Sequence, residues 1–245
     1  MRQKHKSETT YSCEGVPIHA AKGLHERAAE VILNRRQGKG NVLDLGCGSG
    51  AFSKRLQTIG FTTTSVDLSL DTFSLNSESC EVDFNSEFSE RFAQKNYDAI
   101  VALEVIEHLE NPLHFLRQLK RIANSETIIL VSFPNMYLYS SVYSFYKNGT
   151  FGNWTPSLYW ETGHQTILTD WLFEEHLKKT GFVLEEKFFC APFTPPPGHF
   201  VKSLLHKVFY NLVCFFNNKI SPQARKSEVV LFLFRNKPSS GAEGV

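Results

Sequence analysis

The sequence predicts an α/β protein, a doubly wound, mostly parallel sheet of seven strands with helices on both faces. Three observations predict it. Short β-branched or apolar runs alternate with amphipathic helical patterns, as successive βαβ units require. A glycine-rich turn, Gly46-Cys47-Gly48-Ser49-Gly50, separates the first strand of that series from the helix behind it. The 245 residues are enough to bury a single core of this size without cross-links.

The first element is a helix over 23–36, where Leu24, Ala28, Ala29, Ile32 and Leu33 recur at helical spacing and 37–40 supplies the stop. Strands follow at 41–45, 62–66, 81–84, 99–103 and 127–133, with helices at 51–59 and 112–123 between them. Residues 133–160 then hold ten aromatics at no regular aliphatic spacing, which marks a lid insertion after the fifth strand rather than a standard crossover. Regular structure resumes with a helix N-capped by Thr169 and running through Leu172, Phe173, His176 and Leu177 to Gly181. A strand over 182–189 and a closing strand over 228–234 complete the sheet. Between them, 200–216 alternates apolar and polar pairs in an amphipathic helix. Only two lysines mark its polar face, so docking on the protein's own core is favoured over a membrane surface. The expected organisation is one domain over 13–237, with a cofactor half at 23–135, a substrate and lid region at 136–220, and tails at 1–12 and 238–245.

Composition narrows the function. Lys plus Arg (26) and Asp plus Glu (25) nearly cancel. No basic field invites a polyanion, which argues against DNA and disfavours RNA. The five cysteines are scattered without a CxxC pair, as expected of free thiols in a reducing compartment. No leader is visible at the N-terminus and no apolar run approaches the ~20 residues of a spanning helix, so a cytoplasmic protein is expected. The oligomeric state is left open.

The chemistry starts at Val42-Leu43-Asp44-Leu45-Gly46-Cys47-Gly48-Ser49-Gly50-Ala51. Its glycines permit a tight turn and let a ligand lie against main-chain atoms. Gly46, Gly48 and Ala51, with Asp67 further on, also satisfy a dinucleotide fingerprint, which makes a dehydrogenase the first rival. Asp44 opposes it, because a carboxylate at the strand end would repel a pyrophosphate and attract the ammonium of a sulfonium cofactor.

These residues resemble the first motif of the class I, Rossmann-like S-adenosylmethionine-dependent methyltransferases. The resemblance continues in order through Ser65-Val66-Asp67-Leu68-Ser69, Glu81-Val82-Asp83-Phe84 and the stretch from Tyr97 to Leu109. It implies that Asp44, Gly46, Cys47, Gly48 and Leu103 surround the methionine end of S-adenosylmethionine, with Cys47 contributing its backbone. Asp67 and Leu68 would meet the ribose, and Asp83 and Phe84 the adenine. More loosely, Ser132-Phe133-Pro134-Asn135 and Gly163-His164-Gln165 resemble a group that includes the ubiquinone-pathway O-methyltransferases. That implies O-methylation of a small or medium-sized, partly apolar or aromatic acceptor, covered by the lid, with the lid setting substrate choice rather than cofactor affinity. A neutral imidazole suits removal of a hydroxyl proton near pH 7, so His108 and His164 are the candidate bases, with Glu107 as acidic partner. His19, His25, His114, His176, His199 and His206 carry no supporting motif and are expected at the surface or in packing. Glu104, Glu107 and His108 stand at i, i+3 and i+4, and with His164 they resemble a two-glutamate, two-histidine site for magnesium, manganese or zinc. Base catalysis ranks ahead of that metal reading. An RNA methyltransferase and a non-catalytic S-adenosylmethionine-binding protein remain as alternatives.

Overall fold

A computed structural model describes residues 11–193 and 220–237, with five positions between them (204, 205, 208, 209 and 211). Apart from those five, which are helical, the expected helix over 200–216 lies outside the described residues.

The chain opens with a hairpin that was not expected, β1 (Ser12–Cys13) and β2 (Val16–Pro17), turned at Glu14 and Gly15 with φ of 45° and 87°. Its apolar side, Cys13, Val16 and Ile18, packs on Ala51 beside the glycine turn. Helix α1 (Leu24–Arg36) buries Leu24, Ala28, Ala29 and Ile32 as their spacing requires, whereas Leu33 turns outward. Gln37 ends it in the left-handed region, donating its N–H to the Leu33 carbonyl. Strand β3 (Asn41–Leu45) leads through the glycine turn into α2 (Ala51–Thr58), and β4 (Thr62–Asp67) follows.

Strand β5 is Ser79–Glu81, earlier than the expected 81–84, so Asp83 and Phe84 lie beyond its end. Pairing explains the shift: Ser65, Val66 and Asp67 take Ser79, Cys80 and Glu81 as partners, and the ladder ends where β4 ends. Strand β6 (Ala99–Ala102), α3 (Pro112–Ile122) and β7 (Ile128–Pro134) complete the parallel part. In α3, Asn111 accepts the His114 N–H as N-cap and Pro112 occupies the first turn, while Phe115, Leu116, Leu119 and Ile122 are buried.

The aromatic segment is helical rather than irregular. It forms α4 (Tyr139–Asn148) and α5 (Pro156–Thr162), each closed by a left-handed glycine, Gly149 and Gly163. Helix α6 (Asp170–Thr180) is N-capped by Thr169, which accepts the Leu172 N–H, and buries Phe173 and Leu177. Strands β8 (Phe182–Pro192) and β9 (Ser227–Asn236) finish the sheet in the order β5-β4-β3-β6-β7-β9-β8, with β9 antiparallel to both neighbours. Two apolar layers cover its faces. One is rich in rings, including Phe84, Phe88, Phe115, Phe133 and Phe173; the other packs α1 and α2 through Leu24, Ile32, Phe52 and Leu56. Among the described residues no helix is long and apolar enough to cross a membrane. The strand order reverses between β3 and β6, so the crevice outside their carboxyl ends is where a ligand is expected.

Candidate active site

That crevice holds two cavities that share Gly46, Glu104, His108 and Thr162 in their walls. The outer one, of about 560 Å³, is lined by Asp67, Leu68, Asp83, Phe84 and the lid residues Tyr159 and Trp160. The inner one, of about 500 Å³, is lined by Cys47, Gly48, Leu103, Glu107, His164 and Glu228, and by His19 and His25. A ligand lying across Gly46 would reach into both.

The glycine turn is shaped for this. At Gly46, with φ of 81°, a Cβ would stand 2.2 Å from Val105 Cγ2, and at Gly50 it would press on Phe73 and Leu75; these two glycines serve chain packing. Over Gly48 there is open space within 4 Å, which leaves the backbone bare toward the inner cavity. Asp67 at the end of β4 accepts the Gly48 N–H on Oδ2 at 2.7 Å and the Leu68 N–H on Oδ1 at 2.7 Å. Its carboxylate is thereby oriented with lone pairs remaining for hydroxyl donors. Phe84 is buried edge-on against Phe88 and Phe115, and Asp83 accepts the Asn85 N–H beside it.

Asp44 differs from expectation. It is 2% exposed, lies outside the walls of both cavities, and accepts the Ser53 hydroxyl at 2.6 Å beneath the turn. Burial pushes its carboxyl up to about 6, partly opposed by Ser53. Cys47 is buried, and burial raises its thiol far above the usual range.

The chain leaves β6 in a bend. Glu104 has φ of 57°, its N–H donates to Ser132 Oγ at 3.0 Å, and its carboxyl meets the same hydroxyl at 3.2 Å. Only Ile106–His108 forms a helical turn, of 3-10 type. Four bonds tie this turn to the segment after α5. The N–H groups of Gln165 and Thr166 donate to the Glu107 carbonyl, the Gln165 amide to the His108 carbonyl, and the Thr166 hydroxyl to the Leu109 carbonyl. They bring the His164 ring to 4.8 Å from the His108 ring, although 56 residues separate the two in sequence. His164 Nδ1 lies 2.9 Å from the Asn153 carbonyl, and as donor there it leaves Nε2 with its lone pair free.

Glu107, fully buried, has no hydrogen-bond partner on either carboxylate oxygen among the described residues. Burial, with Glu104 nearby, raises its carboxyl well above the ordinary value. Ligand atoms of Glu107, His108 and His164 lie within 4.8 Å of one another, as a cation site would need. Glu104 does not join that group, a correction to the four-residue set. Spacing of i, i+3 and i+4 aligns side chains only in a continuous α-helix, and here residue 104 sits in a left-handed bend before a single 3-10 turn.

Three further residues line the inner cavity that the sequence did not single out. Glu228 stands 124 residues beyond Glu104 and has no local signal. His25 had one, because it falls four and seven residues before Ala29 and Ile32 on the buried face of α1; it is 7% exposed and packs against Phe52, the packing alternative of the two expected for it. His19 reaches the cavity from the exposed loop before that helix. The lid also departs from expectation, since Tyr159 and Trp160 border the outer cavity beside Asp67 and Asp83.

Burial pushes Glu104 up to about 7, with Glu228 adding to the rise, and burial raises Glu228 itself. The sign follows for stability. A carboxyl whose folded value lies above its unfolded value contributes stability at low pH that is lost as pH rises through the folded value. Asp44 loses it between about pH 4 and 6, and Glu104 between about pH 4.5 and 7. The contribution of these groups to the melting midpoint of the ligand-free protein is therefore expected to grow on going from pH 7 to 5, and Glu104→Gln should flatten the slope in thermal melts. A slope left unchanged by Glu104→Gln over that interval would contradict the assignment.

A parallel sheet of this order, with a glycine turn after its first strand and acids at and beyond the ends of the next two, defines the class I fold that binds S-adenosylmethionine. Residues 18–187 match the methyltransferase domain family. The chain belongs to that family. It is 26% identical over 134 residues to a ubiquinone biosynthesis O-methyltransferase of Actinobacillus pleuropneumoniae, covering 50% of this chain and 57% of that protein. The chain thus spans about half the length of the curated relatives it matches. Among solved structures, an S-adenosylmethionine-dependent methyltransferase of Archaeoglobus fulgidus superposes with a TM-score of 0.58 at 16% identity, over 88% of this chain and 96% of that one. The [4+2]-cyclase SpnF superposes with a TM-score of 0.52 at 16% identity, over 86% and 81%. Likeness at this identity shows the fold alone, and a fold hosts more than one chemistry.

Proposed function

We propose that the protein methylates a hydroxyl group of a small or medium-sized, partly apolar or aromatic acceptor. The observation that carries this reading is the His108–His164 pair, set over the buried Glu107 at the junction of the two cavities. S-adenosylmethionine supplies the electrophilic methyl group, on a sulfonium. For its part, the chain binds, orients and takes a proton. Asp67 and Leu68 would hold the ribose, Asp83 and Phe84 the adenine, and Gly46, Cys47, Gly48 and Leu103 the methionine arm, with Asp44 acting from beneath the turn. Burial and the neighbouring His164 lower the pKa of His108, which keeps its imidazole neutral and able to accept the acceptor's proton near pH 7. Among the described residues the inner cavity's wall holds neither Lys nor Arg, which disfavours a phosphorylated acceptor such as RNA.

One observation favours a second reading of the same residues. Two fully buried carboxylate oxygens on Glu107 with no partner among the described residues, beside two imidazoles, suit a divalent cation of the magnesium, manganese or zinc class. Such an ion would supply Lewis acidity toward the hydroxyl. The test uses radiolabelled cofactor with catechols, simple phenols, amines and RNA, with and without EDTA followed by each metal. Label in a phenol or catechol that survives EDTA is expected. Loss in EDTA with rescue by one metal would replace base catalysis by the cation reading, and label in RNA or amines alone would overturn the acceptor class.

A further inference from the structure

We propose that His25 binds the α-carboxylate of the cofactor's methionine arm and takes up one proton from solvent as it does so, making cofactor binding proton-linked. The proposal rests on the S-adenosylmethionine reading of the two cavities.

The amino-acid end of that cofactor carries an ammonium and a carboxylate, and the carboxylate requires donors. The inner cavity offers few. Among the described residues its wall holds three carboxyl side chains, Glu104, Glu107 and Glu228, and neither Lys nor Arg. The turn's own N–H groups are largely engaged: those of Gly46 and Cys47 donate to the Val66 carbonyl, that of Gly48 to Asp67, and that of Gly50 to the Cys47 carbonyl. The Ser49 and Thr162 hydroxyls donate to the Pro17 and Leu158 carbonyls. His25 is different. It is 7% exposed and lines the cavity, and neither ring nitrogen makes a hydrogen bond among the described residues; Nδ1 is sealed from solvent altogether. The ring is held edge-on to Phe52 of α2, with centroids 5.2 Å apart. It stands in the first turn of α1. A buried imidazole left without a partner costs stability, which a carboxylate would recover.

Several charges bear on this ring. Arg55 of α2 opposes its protonation, while Glu26 on its own helix favours it and is itself held by Arg55 and by Tyr11 from the hairpin side. His19 borders the cavity from the loop before α1, and Glu104, Glu107, Glu228, His108 and His164 line the rest. Burial together with Arg55 holds free His25 down at about 4, so it is neutral in the ligand-free protein. A carboxylate alongside favours the imidazolium. A bound ammonium acts oppositely, driving protons off the three glutamates, so a total proton count alone does not isolate His25.

The experiment therefore compares the full chain with its His25→Asn variant by calorimetry at pH 6, in buffers of different ionisation enthalpy. The probes are S-adenosylhomocysteine and its decarboxylated analogue. The parent is expected to take up more protons than the variant on binding S-adenosylhomocysteine, by a difference approaching one. His25→Asn should weaken that ligand roughly ten- to a hundredfold while leaving the decarboxylated analogue unchanged. Equal weakening of both ligands would mean a packing role and overturn the proposal, as would unchanged affinity for S-adenosylhomocysteine. Selective weakening without the proton difference would overturn the linkage. A parent that bound neither ligand would overturn the cofactor reading beneath it.

Discussion

Replacing His108 and His164 by alanine is expected to lower the rate of methyl transfer by roughly 10²–10⁴-fold, the usual contribution of a positioned base, while S-adenosylhomocysteine affinity stays within a few fold. The two rings touch, so their effects should not add, and the double variant should lose little more than the worse single one. A second readout separates catalysis from packing. Because burial and His164 depress the His108 pKa, the imidazole stays neutral below the ordinary histidine value, and the acid limb of kcat/KM should fall below pH 6.5. In whichever single variant retains measurable activity, that limb should move. Full activity in both single variants, or an unmoved pH profile, would remove the base assignment.

The second large effect concerns the cofactor. Asp67→Ala removes an acceptor that holds two backbone N–H groups, at Gly48 and Leu68, and points at the outer cavity. Loss of a charged acceptor of this kind costs roughly 2–3 kcal/mol, about 30- to 150-fold in S-adenosylhomocysteine affinity by calorimetry. Asp83→Ala serves as comparison. Asp83 lies in the loop beyond β5 and is exposed, so a smaller loss is expected there. Equal affinities for parent and Asp67→Ala would sink the assignment of Asp67 to the ribose.

Local signals carried the fold. Periodicity located α1, α3 and α6, and the Thr169 cap and the Gly181 stop stand where their chemistry requires. The aromatic lid was readable as an insertion but not as two helices, because its rings mask the spacing that Thr155-Pro156 and Gly163 nonetheless punctuate at α5. The early end of β5 escaped notice because a strand's length is set by its partner, here β4, and not by its own propensity.

The sequence by itself determined the fold class and the glycine turn after β3, since Gly46, Cys47, Gly48 and the strands around them are contiguous and their signals are local. It also named both histidines. Tertiary structure alone decided that these two meet, that Glu104 stands apart from them, that Asp44 lies beneath the turn, and that Glu228 and His25 face the same cavity. The physical reason is that such neighbours are made by strand order and by the hydrogen bonds from Gln165 and Thr166 to the 107–109 turn. Contacts across 56 or 124 residues leave no periodic trace in the chain, and the burial that shifts Asp44, Glu104, Glu228 and His25 exists only once the layers have packed.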